Sequence, residues 1–289
     1  MKTLKPSELI LNADGSIYHV KLLPEQLAHK IILVGDPQRV PVVSKYFDNI
    51  EFAGQNREIV THTGYFNNQR LTVMSTGMGP DNIDIVMNEL DALVNIDLKH
   101  RVLKQEHTSL EIIRLGTSGS LQADIPVDSF AMGTHGLGMD GLLHFYRHGV
   151  VDESEISEAF VEHTLWPEVF SRPYVVKGSW SLAERVGEGL HHGITITAPG
   201  FYGPQGRALR LLPAFPHLNE RISSFRHGMH RIINFEMETS ALYALGKLMG
   251  HETLTVCTVL ANRVNDTYSK DPKKTITRLI ELLLDRFTS

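Results

Sequence analysis

IIRLGTSGSLQ, residues 112–122, is the stretch on which the reading of this chain turns. Two β-branched residues lead into Arg114, and Gly116, Thr117, Ser118 and Gly119 then read as a tight turn at a strand end. A buried strand ending in small residues exposes backbone N–H groups and hydroxyls at its carboxyl edge. Arg114 adds a forked, permanently charged donor suited to an oxyanion. The expectation is a pocket for phosphate or another small anion. A plain strand and turn with a surface arginine explains the same letters, so the rest of the chain decides.

Outward from this stretch the same pattern recurs. Ile31–Val34 has strand length, and Gly35-Asp36-Pro37 turns it into a helix starting near Pro37, with Arg39 in the first turn near the positive end of the helix dipole. This is neither a P-loop nor the spaced glycines of a dinucleotide fold. REIVTHTGYFNNQRLTVMSTGMGPDN gives two or three strands, with Asn67-Asn68 as a hairpin turn and Arg57 as an ordinary strand charge. A helix is predicted from Asn82 to Leu98, followed by the polar linker KHRVLKQEHT.

VDSFAMGTHGLG reads as a further strand and loop. His144 and His148 fall four apart if MDGLLHFYRH is helical, with His135 nearby, but no third ligand at metal spacing is evident and no metal is expected there. Helices are predicted over 153–170 and SLAERVGEGL, with His191-His192 as a helix end. GITITAPGFYGPQGR is a strand and a Pro/Gly-rich loop, RIINFEMETSALYALGKLMG a strand running into a helix, TLTVCTVLANRVND a last apolar strand, and KTITRLIELLLDRF a closing amphipathic helix. Alternating strands and helices define an α/β fold, read as a single domain over 1–289 with an irregular arm at 1–29.

Composition narrows the function classes. The chain has 289 residues, 42% hydrophobic and 21% charged, with a formal net charge of -5, which argues against nucleic-acid binding. The single cysteine, Cys257, lies in an apolar run and reads as a small buried hydrophobe. The opening MKTLKPSELILNADG lacks the apolar core of a signal peptide, and no run approaches membrane-spanning length, so a cytoplasmic protein without membrane contact is expected.

The polar and glycine residues collect where strands end: VGDPQR, STGMG, IRLGTSG, FYGPQGR, NFEMET and LANR. In open α/β sheets ligands bind beyond such ends. In this order and spacing, GDPxRV, RxGTxG, FYxxQxR and EME make the chain resemble the nucleoside phosphorylase superfamily, and within it the uridine phosphorylases, from about His19 to the C-terminus. The resemblance implies a three-layer α/β/α domain with a central mixed, partly barrel-like sheet. It also implies phosphorolysis of uridine, with deoxyuridine as a second candidate, to uracil and ribose 1-phosphate in pyrimidine salvage. Phosphate is then a co-substrate and no cofactor is needed.

The resemblance distributes roles over the strand ends. Gly35, Arg39, Arg114 and Thr117 would cradle phosphate, with Arg57 reaching in from a neighbouring subunit. Glu238, assisted by Glu236, would accept the ribose hydroxyls, Met237 would pack on the sugar, and His19 would meet the 5′-hydroxyl of the adjacent subunit's substrate. Phe201, Gln205, Arg207 and Arg263 would hold uracil, whose acceptor–donor–acceptor edge suits an amide and a guanidinium. Arg39, Arg114, Gln205, Arg207 and Glu238 are thus the catalytic candidates. Arg57 and His19 imply at least a homodimer, with the 1–29 arm at the interface. Lys99–Thr108 is longer than in the common bacterial form, which leaves a hexamer open.

Bacterial members bind potassium near a glutamate that Glu58 would match, but Asn82 stands where the family has serine. Alternatives on the same fold are a nucleosidase, a purine-type phosphorylase and a non-catalytic nucleoside-binding paralogue. Purine enzymes place an aspartate where this chain reads Ala261-Asn262-Arg263, although Asp266 follows closely.

Overall fold

A computed structural model describes residues 3–149 and 151–289. In chain order the strands are β1 Lys30–Val34, β2 Asn49–Asn56, β3 Ile59–Phe66, β4 Gln69–Ser75, β5 Ile96–Asp97, β6 Val102–Leu103 and β7 Glu111–Ser120. They continue with β8 Phe130–Gly138, β9 Tyr174–Lys177, β10 His191–Thr197, β11 Arg226–His227, β12 His230–Glu236, β13 Glu252–Asn262 and β14 Thr267–Tyr268. The helices are α1 Arg39–Ser44, α2 Pro80–Asn95, α3 Ser154–Thr164, α4 Trp180–Val186, α5 Leu218–Ser224, α6 Thr239–Met249 and α7 Pro272–Thr288.

Twelve strands form one mixed sheet in the order β11-β12-β10-β8-β13-β7-β1-β4-β3-β2, with β14 on β13 and β9 on β8. A further pairing of β12 with β7, Asn234 opposite Ser120 and Phe235 opposite Gly119, closes β7, β13, β8, β10 and β12 into a barrel. Alternation along β1 explains the layers: Ile31 and Leu33 face a core shared with α2 and α6, whereas Ile32 and Val34 face one shared with α1, α4 and α7. The sheet is thus covered on both faces, as its continuous apolar strands require. A third core joins α3 and α5 to β10 and β12.

Several local expectations give way to long-range pairing. The predicted turn at Gly116–Gly119 is strand, because β7 runs unbroken to Ser120 between β13 and β12, with a register shift in β13 at Val259/Ala261. Small residues suit a turn, but they equally suit a strand that bends tightly into a barrel. His191-His192 opens β10 against Ala131 and Met132 and does not end a helix. The acidic helix is shorter than 153–170, because Leu165 takes a left-handed conformation and stops α3. The helix expected to reach Leu98 ends at Asn95, because Ile96-Asp97 pair with Val102-Leu103 of the polar linker as the β5–β6 ribbon. The N-terminal segment packs Leu9, Ile17, Val20 and Leu22 into the α2 side of the core. No helix among the described residues is long and apolar enough to cross a membrane.

Candidate active site

The carboxyl ends of β1, β4, β7, β12 and β13 and the loop after β10 converge on a cavity of about 660 Å³. Gly35, Arg39, Arg114, Thr117, Phe201, Gln205, Arg207, Glu236, Met237 and Glu238 all line it, as does Glu58. Residues separated by more than 150 positions therefore share one hollow, which independent structural turns would not produce.

Arg114 forms the floor. It is 4% exposed and stands in β7, the central strand between β1 and β13. Its Nη2 donates to Glu238 Oε2 in a short ion pair, and Glu236 Oε2 lies 3.4 Å from its Nη1. Nε and Nη1 are buried without a hydrogen-bond partner. Burial opposes the guanidinium charge, but the adjacent Glu238 and then Glu236 outweigh it and raise the pKa above the ordinary arginine value. The cradle thus holds a permanent cation with unused donors, the condition under which a buried arginine takes an anion.

Arg39 enters from the first residue of α1, half-buried, with burial and the nearby Arg114 lowering its pKa. Gly35 and Gly77 bring their loops together through a backbone bond of 3.1 Å. Gly116 is glycine because a Cβ there would collide with the Arg114 guanidinium and lie 2.7 Å from Cys257 Sγ. Burial pushes the Cys257 thiol up to about 12, which leaves it a packing residue and no nucleophile.

The ribose candidates sit where β12 becomes α6. Glu238 accepts the Gly79 N–H at 2.8 Å, which ties the loop before α2 to this junction. Burial raises its pKa, and Arg114 pulls the other way. The carboxylate of Glu236 is differently occupied. It accepts the Thr197 hydroxyl at 2.7 Å, the Glu238 N–H at 2.9 Å and the Thr239 N–H at 3.0 Å.

The loop after β10 carries the base candidates. Gln205 is 3% exposed at the end of a short 3-10 turn, Gly203–Gln205. Its carbonyl accepts from Asn219 Nδ2 at 2.9 Å and from Arg263 Nη1, while its Oε1 accepts from Arg207 Nη1. Gly206, at φ +68°, lets the chain turn where a side chain would strike Asn219. The Arg207 guanidinium lies 3.8 Å from the Phe201 ring centroid, so the two present a stacked pair.

Three sequence candidates stand off the cavity wall. Arg263 supports it from behind, through the Gln205 carbonyl and over the Phe235 ring, 5.9 Å from its centroid. His19 is held by Glu89 of α2, ring Nδ1 to Oε1 at 2.6 Å. Arg57 is not a strand charge: it occupies the β2–β3 turn at φ +54°, with its guanidinium 5.8 Å from the Tyr18 ring centroid. Near Glu58, Asn82 presents its Nδ2 at 3.4 Å and donates to Thr76 O at 2.9 Å. Asp266 sits exposed in the β13–β14 turn, and Asn262 is consumed by bonds to the Gln122 and Ile125 carbonyls at 2.8 Å.

His144 Nε2 bonds to Arg172 O and His148 Nδ1 to Tyr146 O, in a segment where only Leu142–Phe145 is helical. Asp91, His107 and His251 do approach, with one ligand atom each within 4.8 Å of the others. However, His251 Nδ1 accepts the Leu110 N–H at 3.2 Å, which places the imidazole proton on Nε2 facing Asp91 and removes the lone pair a metal would need.

Other contributions escape the sequence reading. Gly79 does not line the cavity, and its role rests on the bond to Glu238, 159 positions away. Tyr268 reaches the cavity because β14 folds back, pairing with Ala261. The Asn265-Asp266 turn letters were the available signal for that hairpin.

A profile of the phosphorylase superfamily matches residues 29–285. A uridine phosphorylase of Thermococcus kodakarensis is 29% identical over 270 residues, covering 90% of this chain and 83% of the relative. A DeoD-type purine nucleoside phosphorylase of Streptococcus suis is 26% identical over 279 residues, covering 92% and 97%. A crystal structure of a Trypanosoma brucei nucleoside phosphorylase, described as showing uridine phosphorylase activity, superposes with a TM-score of 0.87 at 29% identity, covering 97% of this chain and 100% of that one.

Proposed function

The chain belongs to the phosphorylase superfamily, and from that premise we propose that it catalyses the reversible phosphorolysis of uridine to uracil and ribose 1-phosphate. The observation that carries this reading is the shared cavity: Arg39, Arg114, Glu238, Gln205 and Arg207 all line one hollow. Phosphate would lie against Arg39, Arg114 and Thr117 as the nucleophile and only co-substrate, without a cofactor. The C1′–N1 bond breaks with oxocarbenium character on the ribose as the C1′–O bond to phosphate forms. Glu238 accepts ribose hydroxyls, and Gln205 and Arg207 draw off the charge that develops on uracil.

Pyrimidine is favoured over purine by the end of β13. No carboxylate is aimed at the base from there: Asn262 is consumed by backbone carbonyls and Asp266 points into the exposed turn. Arg57 and His19 belong, in this proposal, to a partner's site in a homodimer or larger assembly. The test is a panel of uridine, deoxyuridine, thymidine, inosine and adenosine incubated with phosphate, with free base followed by absorbance. Uracil release exceeding hypoxanthine and adenine release supports the reading; preferential purine release overturns it.

A further inference from the structure

The cavity places two buried carboxylates beside Arg114, one of the two arginines proposed to take a dianion. Both compete with phosphate for Arg114, so the site needs a way to keep at least one from claiming it. Glu236 shows how. Its two oxygens accept bonds from the Thr197 hydroxyl, the Glu238 N–H and the Thr239 N–H, the last two being free donors at the start of α6. With those donors in place, Arg114 Nη1 stands 3.4 Å off and makes no hydrogen bond to Glu236.

We infer that Thr197 is a positioning residue of the reaction: its hydroxyl satisfies Glu236 and so keeps that carboxylate from closing on Nη1 of Arg114, whose charge is then left for phosphate. Thr197 ends β10, opposite Glu236 in the parallel β10–β12 ladder. Its Oγ1 donates to Glu236 Oε1 at 2.7 Å and accepts the Ser240 N–H at 2.9 Å, linking strand and helix in both directions. Ser240 is braced in turn by Asp140, which accepts its hydroxyl at 2.8 Å and that of Tyr174 at 2.8 Å. The threonine is fully buried and is not among the cavity-lining residues, so it acts only through Glu236. Without its hydroxyl, Glu236 Oε1 keeps only the Thr239 N–H, and a carboxylate freed to rotate has Arg114 Nη1, 3.4 Å from Oε2, as an unpartnered charged donor beside it.

The inference rests on the phosphorolytic reading, and its test separates the two. Phosphate affinity is measured by calorimetry on the full-length protein and on Thr197→Val, Thr197→Ala and Thr197→Ser, alongside uridine kinetics and melting temperature. Val and Ala weaken phosphate binding about tenfold, Ser restores it, and the KM for uridine moves less than about twofold. A crystal structure of the Ala variant shows Nη1 closed onto Glu236. Unchanged phosphate affinity in a folded Val or Ala variant, or a Ser variant as impaired as Val, overturns the inference. An equal loss for phosphate and uridine that tracks melting temperature overturns it too, because that is a structural effect alone. A wild-type protein that binds phosphate as described but does not cleave uridine fails the functional reading, and the affinity series still decides the role of Thr197.

Discussion

Arg114 and Glu238, 124 residues apart in sequence, form a buried ion pair on the floor of the cavity. Each is also the group that the proposed chemistry needs for something else, the arginine for phosphate and the carboxylate for ribose hydroxyls. Phosphate that engages Arg114 therefore loosens its hold on Glu238 and prepares the sugar site. Uridine should bind about tenfold tighter in saturating sulfate, an inert tetrahedral dianion, than in its absence. Glu238→Gln should abolish that difference. Calorimetric affinities that do not respond to sulfate in the wild type would contradict the coupling.

Gln205 and Arg207 are held in one unit by their mutual bond and by the grip of Asn219 and Arg263 on the Gln205 carbonyl. Replacing either with alanine should lower turnover of uridine by about 10²–10³-fold, as for loss of a donor to developing charge. Steady-state kinetics checks this, and a loss under about tenfold would remove these residues from base activation.

Gly116→Ala inserts a methyl group between Arg114 and Cys257 Sγ in a fully packed strand. The guanidinium must shift away from its place beside Glu236 and Glu238, and Cys257 must give as well, so the expected cost is about 1–3 kcal/mol of stability together with weaker phosphate binding. Urea unfolding and phosphate titration read the two effects on one preparation.

His135, buried on β8 with its ring edge-on to His230, has the opposite pH dependence to an ion-paired histidine. Burial, then His230, lowers its pKa to about 4. Between the ordinary histidine value and that point the unfolded chain takes up a proton that the folded chain refuses. Stability is therefore complete above about pH 6.5 and falls toward pH 4, by on the order of 3 kcal/mol from this group. His135→Asn should flatten that portion of the stability–pH curve from denaturant melts.

Much of this was legible in the letters, and the exceptions share one cause. Ile31–Val34 and the apolar lead-in to Arg114 read directly as buried strands, and the glycine and arginine motifs at strand ends marked what the cavity would gather. The Gly116–Gly119 segment misled because its small residues fit a turn or a bend equally. Only β12, more than 100 positions later, settles the choice by closing the barrel on Gly119 and Ser120. The dual use of Arg114, the tie from Gly79 to Glu238 and the approach of Tyr268 are likewise contacts between distant segments, which local periodicity does not encode.

In the proposed reaction Arg39 and Arg114 hold phosphate as the nucleophile that takes the ribose. Incubating the protein with uridine, with and without inorganic phosphate, and following ribose 1-phosphate by ³¹P NMR tests it most directly. The account predicts uracil and ribose 1-phosphate in equal amounts, formed only when phosphate is present and lost in Arg114→Met. Uracil released at the same rate without phosphate, with free ribose as the product, would contradict it.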